Sequence, residues 1–292
     1  MDSATSSSPT ISWPTSPPTH RQGWAPDTDH EESHSRSNGH ANQHTDDGPY
    51  ITPTLDLSNL PHGSKSLAGI SLRSQLLGFA LGISTVSAAY LALHSSPLWR
   101  APFFLATLSL FHFLEYWTTA RYNPSHANID AFLLTSNGSG YNIAHGMAFL
   151  ECIISHTLLK NWRILPLWAQ AARLAMGFTM VFVGQVCRSV AMAQAGPSFN
   201  HQVQMRRRAD HVLVTKRIYA WLRHPSYFGF WWWGLGTQVV LGNGICLVGY
   251  AVVLWRFFRG RIEREEELLI KFFGEEYVKY KRRTWVGIPF IS

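Results

Sequence analysis

Six apolar stretches restrict this chain more than anything else in it, at roughly 68–93, 98–118, 141–159, 166–194, 223–241 and 244–260. A bilayer-spanning helix needs about 20 predominantly apolar residues, with a range of about 17–25. The first four stretches meet or exceed that length. The last two are short and are joined by Gly242-Asn243-Gly244, a turn signal. They read as a tight C-terminal helical hairpin, with tilt or partial insertion accommodating its length. A soluble bundle would need regular polar faces along these stretches, and none is found. The expectation is an all-α, polytopic transmembrane bundle of about six spans, with no internal repeat.

Composition agrees where it bears on this reading. Charged residues make up 15% of the chain, against roughly 25% in ordinary globular proteins. The abundant Trp and Phe fit membrane interfaces, where aromatic rings gather. The net charge of +7 comes from bases flanking apolar segments, which membrane topology explains better than nucleic acid does. Cys152, Cys187 and Cys246 all lie in apolar stretches without CxxC spacing. They read as helix-packing residues and not as a zinc site or disulfide framework.

Residues 1–66 differ in kind. Eight acids face three bases there (Arg21, Arg36, Lys65), and apolar periodicity is missing. A disordered polar tail is expected, because such a segment buries too little surface to offset chain entropy. Its histidines, His20, His30, His34, His40, His44 and His62, have no metal-ligand spacing. Met1 opens no signal peptide, and the terminal Pro289-Phe290-Ile291-Ser292 carries no CaaX cysteine.

Residues 195–224 hold six bases (Arg206, Arg207, Arg208, Lys216, Arg217, Arg223) and one acid, Asp210. That loop is expected to face the cytoplasm, and six spans then place both termini there. The sequon Asn137-Gly138-Ser139 falls on the same side and is expected to stay unmodified. Lys160 and Arg163, on the opposite side, argue slightly the other way.

Within the apolar stretches lie Arg73, His112, Glu115, His145, Glu151, Arg173 and Arg188. Each costs about 2.5–3.5 kcal/mol at a helix centre on insertion scales. Either they line a polar cavity or they snorkel and form structural pairs. Arg73 and Arg173, near segment starts, take the second reading. His112 and Glu115, at i and i+3 on one helical face, fit both.

Residues 196–227 are too polar to span. Lipid headgroup binding accounts for their arginines, but not for the density of His201, Gln204, Asp210, His211, Tyr219, His224 and Tyr227. Beyond the hairpin, residues 256–283 read as one charged helix. Arg261 and Glu265 share a face at i and i+4, while Glu263, Glu266 and Glu267 read as solvated. Phe272-Phe273-Gly274-Glu275-Glu276-Tyr277 follows, then Lys279, Lys281, Arg282 and Arg283. Taken alone, this is as readily an interfacial amphipathic helix as a site.

Taken in order, Arg223-His224-Pro225-Ser226-Tyr227, the Glu-rich run 263–267, Phe272 to Tyr277 and Pro289-Phe290-Ile291 resemble the isoprenylcysteine carboxyl methyltransferase family. Phe111-His112-Phe113-Leu114-Glu115-Tyr116 and Asn123-Pro124 extend the resemblance, which runs from about residue 100 to the end. An Arg-His-Pro-x-Tyr motif with a later acidic pair also recurs in membrane phospholipid N-methyltransferases and sterol reductases. Those are the alternatives, followed by a non-catalytic membrane scaffold.

The resemblance implies a multi-pass endoplasmic reticulum enzyme whose active site faces the cytosol. It would use S-adenosyl-L-methionine to methylate the C-terminal carboxylate of the prenylated (farnesyl or geranylgeranyl) cysteine of CaaX-processed proteins, such as small GTPases and lipidated peptides. It implies cofactor contacts at Gln204, His211, Val212, Leu213, Val214, Tyr219, His224, Pro225, Ser226 and Tyr227, and prenylcysteine-side residues Arg261 and Glu265. No metal is implied, and no nucleic acid. The chain then divides into a tail (1–66), transmembrane helices one to four (67–195) and a catalytic region (196–292) of cofactor loop, hairpin and charged helix. Two features depart from the family: the long tail, and six apparent spans where some members have eight.

A carboxylate acceptor, with pKa about 3.3–3.7, is already ionised at neutral pH and needs no general base. Such an enzyme must supply proximity, alignment and removal of water. An Arg261–Glu265 pair would orient the acceptor without fully neutralising it, and Tyr219 or Tyr227 would face a sulfonium. Trp231, Trp232 and Trp233 point about 100° apart and cannot all line one pocket.

Overall fold

The structure, a computed structural model, describes residues 56–158, 165–206 and 211–292. The expected disorder of 1–55, and the charges of Lys160, Arg163, Arg207, Arg208 and Asp210, lie outside the described residues. Residues 56–66 form a short 3-10 turn at Leu57–Asn59 capped by Asp56, and Ser64 O accepts from Ile129 N.

Among the described residues seven α-helices follow: α1 Leu67–Leu93, α2 Arg100–Tyr122, α3 Ser139–Thr157, α4 Leu167–Ala195, α5 Pro225–Leu241, α6 Ile245–Phe273 and α7 Glu275–Arg283. Among the described residues there is no strand, only an isolated parallel bridge between Leu222 and Trp285. The all-α expectation is borne out. By length and hydropathy, α1 and the segment Leu167–Ser198 are apolar enough to cross a membrane. On α1 the large apolar side chains Leu72, Leu76, Phe79, Ile83, Val86 and Tyr90 point outward, the reverse of a water-soluble helix.

Local chemistry sets the boundaries. Ser66 Oγ accepts from Gly69 N at the start of α1. Pro225 occupies the first turn of α5, where its missing N–H costs nothing. The charged region is not one helix from 256 to 283. α6 runs unbroken from the apolar stretch to Phe273, and Gly274 at φ 56 turns the chain into α7. At about 1.5 Å per residue α6 is about 43 Å long, more than the thickness of a hydrocarbon core, about 30 Å.

The tightest packing joins α4 to α5, antiparallel, through glycines. A Cβ on Gly184 would lie 2.5 Å from Trp233 N and 2.6 Å from Gly229 O, and one on Gly229 would lie 2.6 Å from Gly184 O. Gly177 and Gly236 repeat the pattern two turns away, against Val240 and Val181. Small residues let helix backbones touch where no hydrophobic driving force exists between helices.

The charges within apolar stretches mostly serve helix ends. Arg100 Nε donates to Val240 O at 3.2 Å and Arg173 Nη1 to Val239 O at 2.8 Å, satisfying the open carbonyls of α5. Glu151, on α3, accepts from Gly244, Ile245 and Cys246 N–H at 2.7–3.0 Å and so caps α6 from outside. Arg73 turns back onto Gly69 O of its own helix. His112 Nδ1–H donates to Phe132 O at 2.8 Å, and Tyr141 Oη lies 3.2 Å from its other ring nitrogen.

Candidate functional site

Two cavities meet at Tyr227. The smaller, about 110 Å³, lies where the 196–224 loop crosses the ends of α5, α6 and α7. Its walls include His211, Val212, Leu213, Val214, Tyr219, His224, Pro225, Ser226, Tyr227 and Glu265. All the expected cofactor contacts except Gln204 are thus gathered around one space, with Glu265 among them. Gln204 is on an earlier limb of the loop and does not line it. Its Oε1 is buried without a partner among the described residues.

The larger cavity, about 490 Å³, is mainly apolar and runs between α3, α5 and α6. Ala144, Trp233, Tyr250, Leu254 and Phe258 line it, and Arg188, His201 and Arg261 close its polar end. Tyr227, Phe199 and Asn200 belong to both cavities. Of the three consecutive tryptophans, Trp233 lines this cavity, Trp231 is buried against Phe258 and Ile262, and Trp232 donates to Gly287 O at 3.3 Å.

The expected direct pairing of Arg261 with Glu265 is not present. The Tyr227 hydroxyl stands between them, receiving from Arg261 Nε at 2.8 Å and donating to Glu265 Oε2 at 2.5 Å. The guanidinium of Arg261 lies 5.4 Å from the centre of the Tyr227 ring and also donates to His201 O. Tyr219 is held at both ends, its hydroxyl donating to Ala191 O and its carbonyl accepting from Tyr280.

Two buried charge clusters flank this junction. Arg188 on α4 grips Glu115 on α2 with both arms, at 2.5 and 2.8 Å, and donates to Ser226 Oγ at 2.8 Å. Its guanidinium lies 5.4 Å from the Phe230 ring, and His201 Nδ1 lies 3.6 Å from Glu115. Burial pushes the His201 imidazole down to about 4, against the pull of Glu115. The second cluster overturns the solvated reading of Glu266. That carboxylate is 4% exposed and lies 2.6 Å from Arg223 Nε, 3.1 Å from His224 Nε2 and 2.5 Å from Lys281 Nζ. Burial alone would raise its pKa. The hydrogen bonds from His224, Lys281 and Arg223 outweigh it and bring the group to about 2. Glu263 and Glu267 are exposed as expected, Glu263 pairing with Arg259.

Sequence reasoning missed Arg188 and Glu266 as site-flanking groups, and Tyr277 and Tyr280 as cavity walls. Arg188 carried a signal, a charge in the middle of an apolar stretch. Glu266 carried none to separate it from its neighbours.

The walls of the smaller cavity suit a sulfonium-bearing amino acid nucleoside. Arg223 Nη2 and Tyr277 Oη are buried without partners among the described residues, and both residues line the cavity. Val214, Leu269 and Phe273 add an apolar wall. Unmet donors beside an apolar wall fit a ligand with an ionic end and a flat aromatic base.

Residues 175–271 match the family model described as the isoprenylcysteine carboxyl methyltransferase (ICMT) family. The chain is 43% identical over 224 residues to the protein-S-isoprenylcysteine O-methyltransferase of Saccharomyces cerevisiae, covering 76% of this chain and 91% of the relative. It is 43% identical over 223 residues to the Homo sapiens enzyme of the same name, covering 76% and 75%. Among solved structures it resembles one titled as the eukaryotic intramembrane Ras methyltransferase ICMT, with a TM-score of 0.67 and 34% identity over 76% of this chain and 77% of that one.

Proposed function

This chain belongs to the isoprenylcysteine carboxyl methyltransferase family and is a methyltransferase, and from that premise we propose that it methylates the C-terminal carboxylate of prenylated cysteine in CaaX-processed proteins, using S-adenosylmethionine. We place its six apolar stretches in the endoplasmic reticulum membrane with the loop 196–224 facing the cytosol. The observation that carries the reading is the junction at Tyr227, where a cavity with ionic and apolar walls meets a mainly apolar one.

The donor would be held by His211 to Val214, Tyr219 and His224 to Tyr227, with Glu265, Arg223 and Tyr277 at the same walls. When bound, S-adenosylmethionine supplies an electrophilic methyl group on a positively charged sulfur. The chain itself brings the acceptor carboxylate to Arg261 and Arg188 while its prenyl group occupies the apolar cavity. Both guanidiniums have an acid in reach, Arg188 directly through Glu115 and Arg261 through the Tyr227 hydroxyl. Methyl transfer removes the acceptor's negative charge, so a fully unbalanced cation there would favour the ground state over the transition state. Balanced arginines orient the carboxylate without that penalty. The apolar walls exclude water from the ionised acceptor, and proximity supplies much of the remaining acceleration.

Labelled S-adenosylmethionine and a farnesylated cysteine analogue, added to membranes containing the full chain, should yield a labelled methyl ester. Label appearing only in phosphatidylethanolamine would instead assign the chain to phospholipid methylation. Arg261→Ala should abolish ester formation while saturable donor binding persists. Loss of donor binding would remove Arg261 from the acceptor side.

A further inference from the structure

Residues 284–292 leave α7 without helical structure and lie as a strap along the outside of α5 and α6. Val286 and Ile288 turn inward and are buried against Phe258 and Ile262. Gly287 passes so close that a Cβ would lie 2.5 Å from the Phe228 ring. The backbone carbonyls of Gly287 and Pro289 accept from the indole N–H groups of Trp232 and Trp255, at 3.3 and 3.1 Å. Irregular backbone next to hydrocarbon must be satisfied by protein, and here two tryptophans supply the donors.

The other face of the strap is apolar and open. Trp285 is 77% exposed and Phe290 94%. Phe290 also holds a left-handed φ of 62, an uncommon conformation for a bulky residue. Trp221 is 78% exposed, and its carbonyl accepts from Trp285 N at 3.0 Å, so the two indoles stand on adjoining backbones. Around them Lys216, Arg217, Arg282 and Arg283 are exposed, and neither 211–222 nor 282–292 contains an acid.

We propose that the strap and the 216–222 turn form a surface seated in the cytosolic headgroup layer, with Phe290 in the acyl region and the four bases on anionic phospholipid. The inference rests on the placement of α5 and α6 in the bilayer proposed above. Charge and position choose lipid over a protein partner. Tryptophan next to Lys and Arg is the composition of a membrane interface, and each base near an anionic leaflet contributes about 1 kcal/mol. The exposed Val253 and Phe257 on α6 continue the apolar surface. The seat has a functional consequence, because the start of the strap holds a wall of the smaller cavity. Thr284 O accepts from Arg223 Nη1 at 2.8 Å, and Trp285 O from Arg223 N at 2.9 Å. Anionic lipid therefore tightens donor binding through Arg223.

The test uses the full chain in nanodiscs of phosphatidylcholine, with or without phosphatidylserine. A nitroxide on Phe290→Cys, with Cys152, Cys187 and Cys246 changed to Ala, should be reached by oxygen and shielded from a water-soluble nickel chelate. Free access of nickel in both lipids overturns the seat. In the unlabelled wild type, phosphatidylserine should lower the donor KM about fivefold with kcat little changed, the effect of about one base's worth of lipid attraction. Arg282→Gln combined with Arg283→Gln should abolish that difference. Equal donor KM in the two lipids overturns the link to Arg223. Label accessibility requires no turnover, so a shielded label on a chain that forms no methyl ester supports the seat and counts only against the proposed reaction.

Discussion

Glu266 is placed where an acid does the most to hold the site together, between Arg223, His224 and Lys281. Its folded pKa of about 2 lies below the ordinary 4.5. The native state therefore binds fewer protons, and the gain is complete above about pH 4.5 and lost as pH falls through about 2. The shift corresponds to on the order of 3 kcal/mol. Thermal unfolding of the detergent-solubilised chain should fall in midpoint between pH 6 and pH 3, and Glu266→Gln should flatten that fall while lowering the midpoint at pH 7. An unchanged midpoint at pH 7 would show the cluster to be dispensable. His201 has the same sign for a different reason. Burial holds it at about 4 against 6.5, so it stays neutral at pH 6 and should add no inflection to the pH–rate profile near 6.5. Tyr227→Phe removes the hydroxyl between Arg261 and Glu265. At about 1.5–3 kcal/mol per charged hydrogen bond, activity should drop by at least tenfold while the protein still folds. The expected contacts that the structure gathers around one cavity, His211 to Val214 and His224 to Tyr227, are consecutive runs that a motif carries whole. Glu266 was not legible because its partners come from positions 223, 224 and 281, and nothing within the run 263–267 says which acid turns toward them.

At the scale of elements, the position of α5 depends on α4. Ser226 and Tyr227 start α5, and the glycine contacts set how close that start comes to Arg188. Gly229 itself meets Arg188 N at 2.7 Å from an added Cβ. Gly229→Ala or Gly184→Ala pushes backbone against backbone, which no rotamer change relieves, and should cost at least the 1–3 kcal/mol of ordinary overpacking. The folded fraction recovered in detergent, and the activity of that fraction, should both fall. Gly78→Ala in α1, where the new methyl meets nothing within 4 Å, is the matched control and should leave both unchanged. Helix content was legible because apolar length and turn residues are local. The packing partners were not, since Gly184 and Gly229 look like any glycines in an apolar stretch. The single helix α6 was divided wrongly for a related reason. Its charged half and its apolar half have different compositions, yet the helix runs unbroken through Gly260 at their junction to Phe273.

For the whole molecule, the proposed topology makes the two cavities face different solvents, and this decides what the prenyl chain would contribute. Met147, Ile245, Val253 and Phe257 line the larger cavity yet stay exposed, so on the proposed topology its side opens toward lipid between α3 and α6. An acceptor chain that enters from lipid exchanges one apolar surrounding for another and gains little hydrophobic free energy on the way. An acceptor drawn from water would gain about 0.8 kcal/mol per CH2, about 4 kcal/mol for one five-carbon unit and so about a thousandfold in apparent affinity. Shortening the acceptor from farnesyl to geranyl should therefore raise the KM steeply when it is expressed per volume of water. Expressed as mole fraction in the bilayer, KM should change only a few-fold, with kcat little affected. The measurement is methyl ester formation in vesicles at several lipid-to-water ratios, with the partitioning of each acceptor determined separately. A thousandfold difference that persists in mole-fraction units would mean that the cavity holds the last five-carbon unit far more tightly than lipid does, as closed protein walls would and a side open to lipid between α3 and α6 would not.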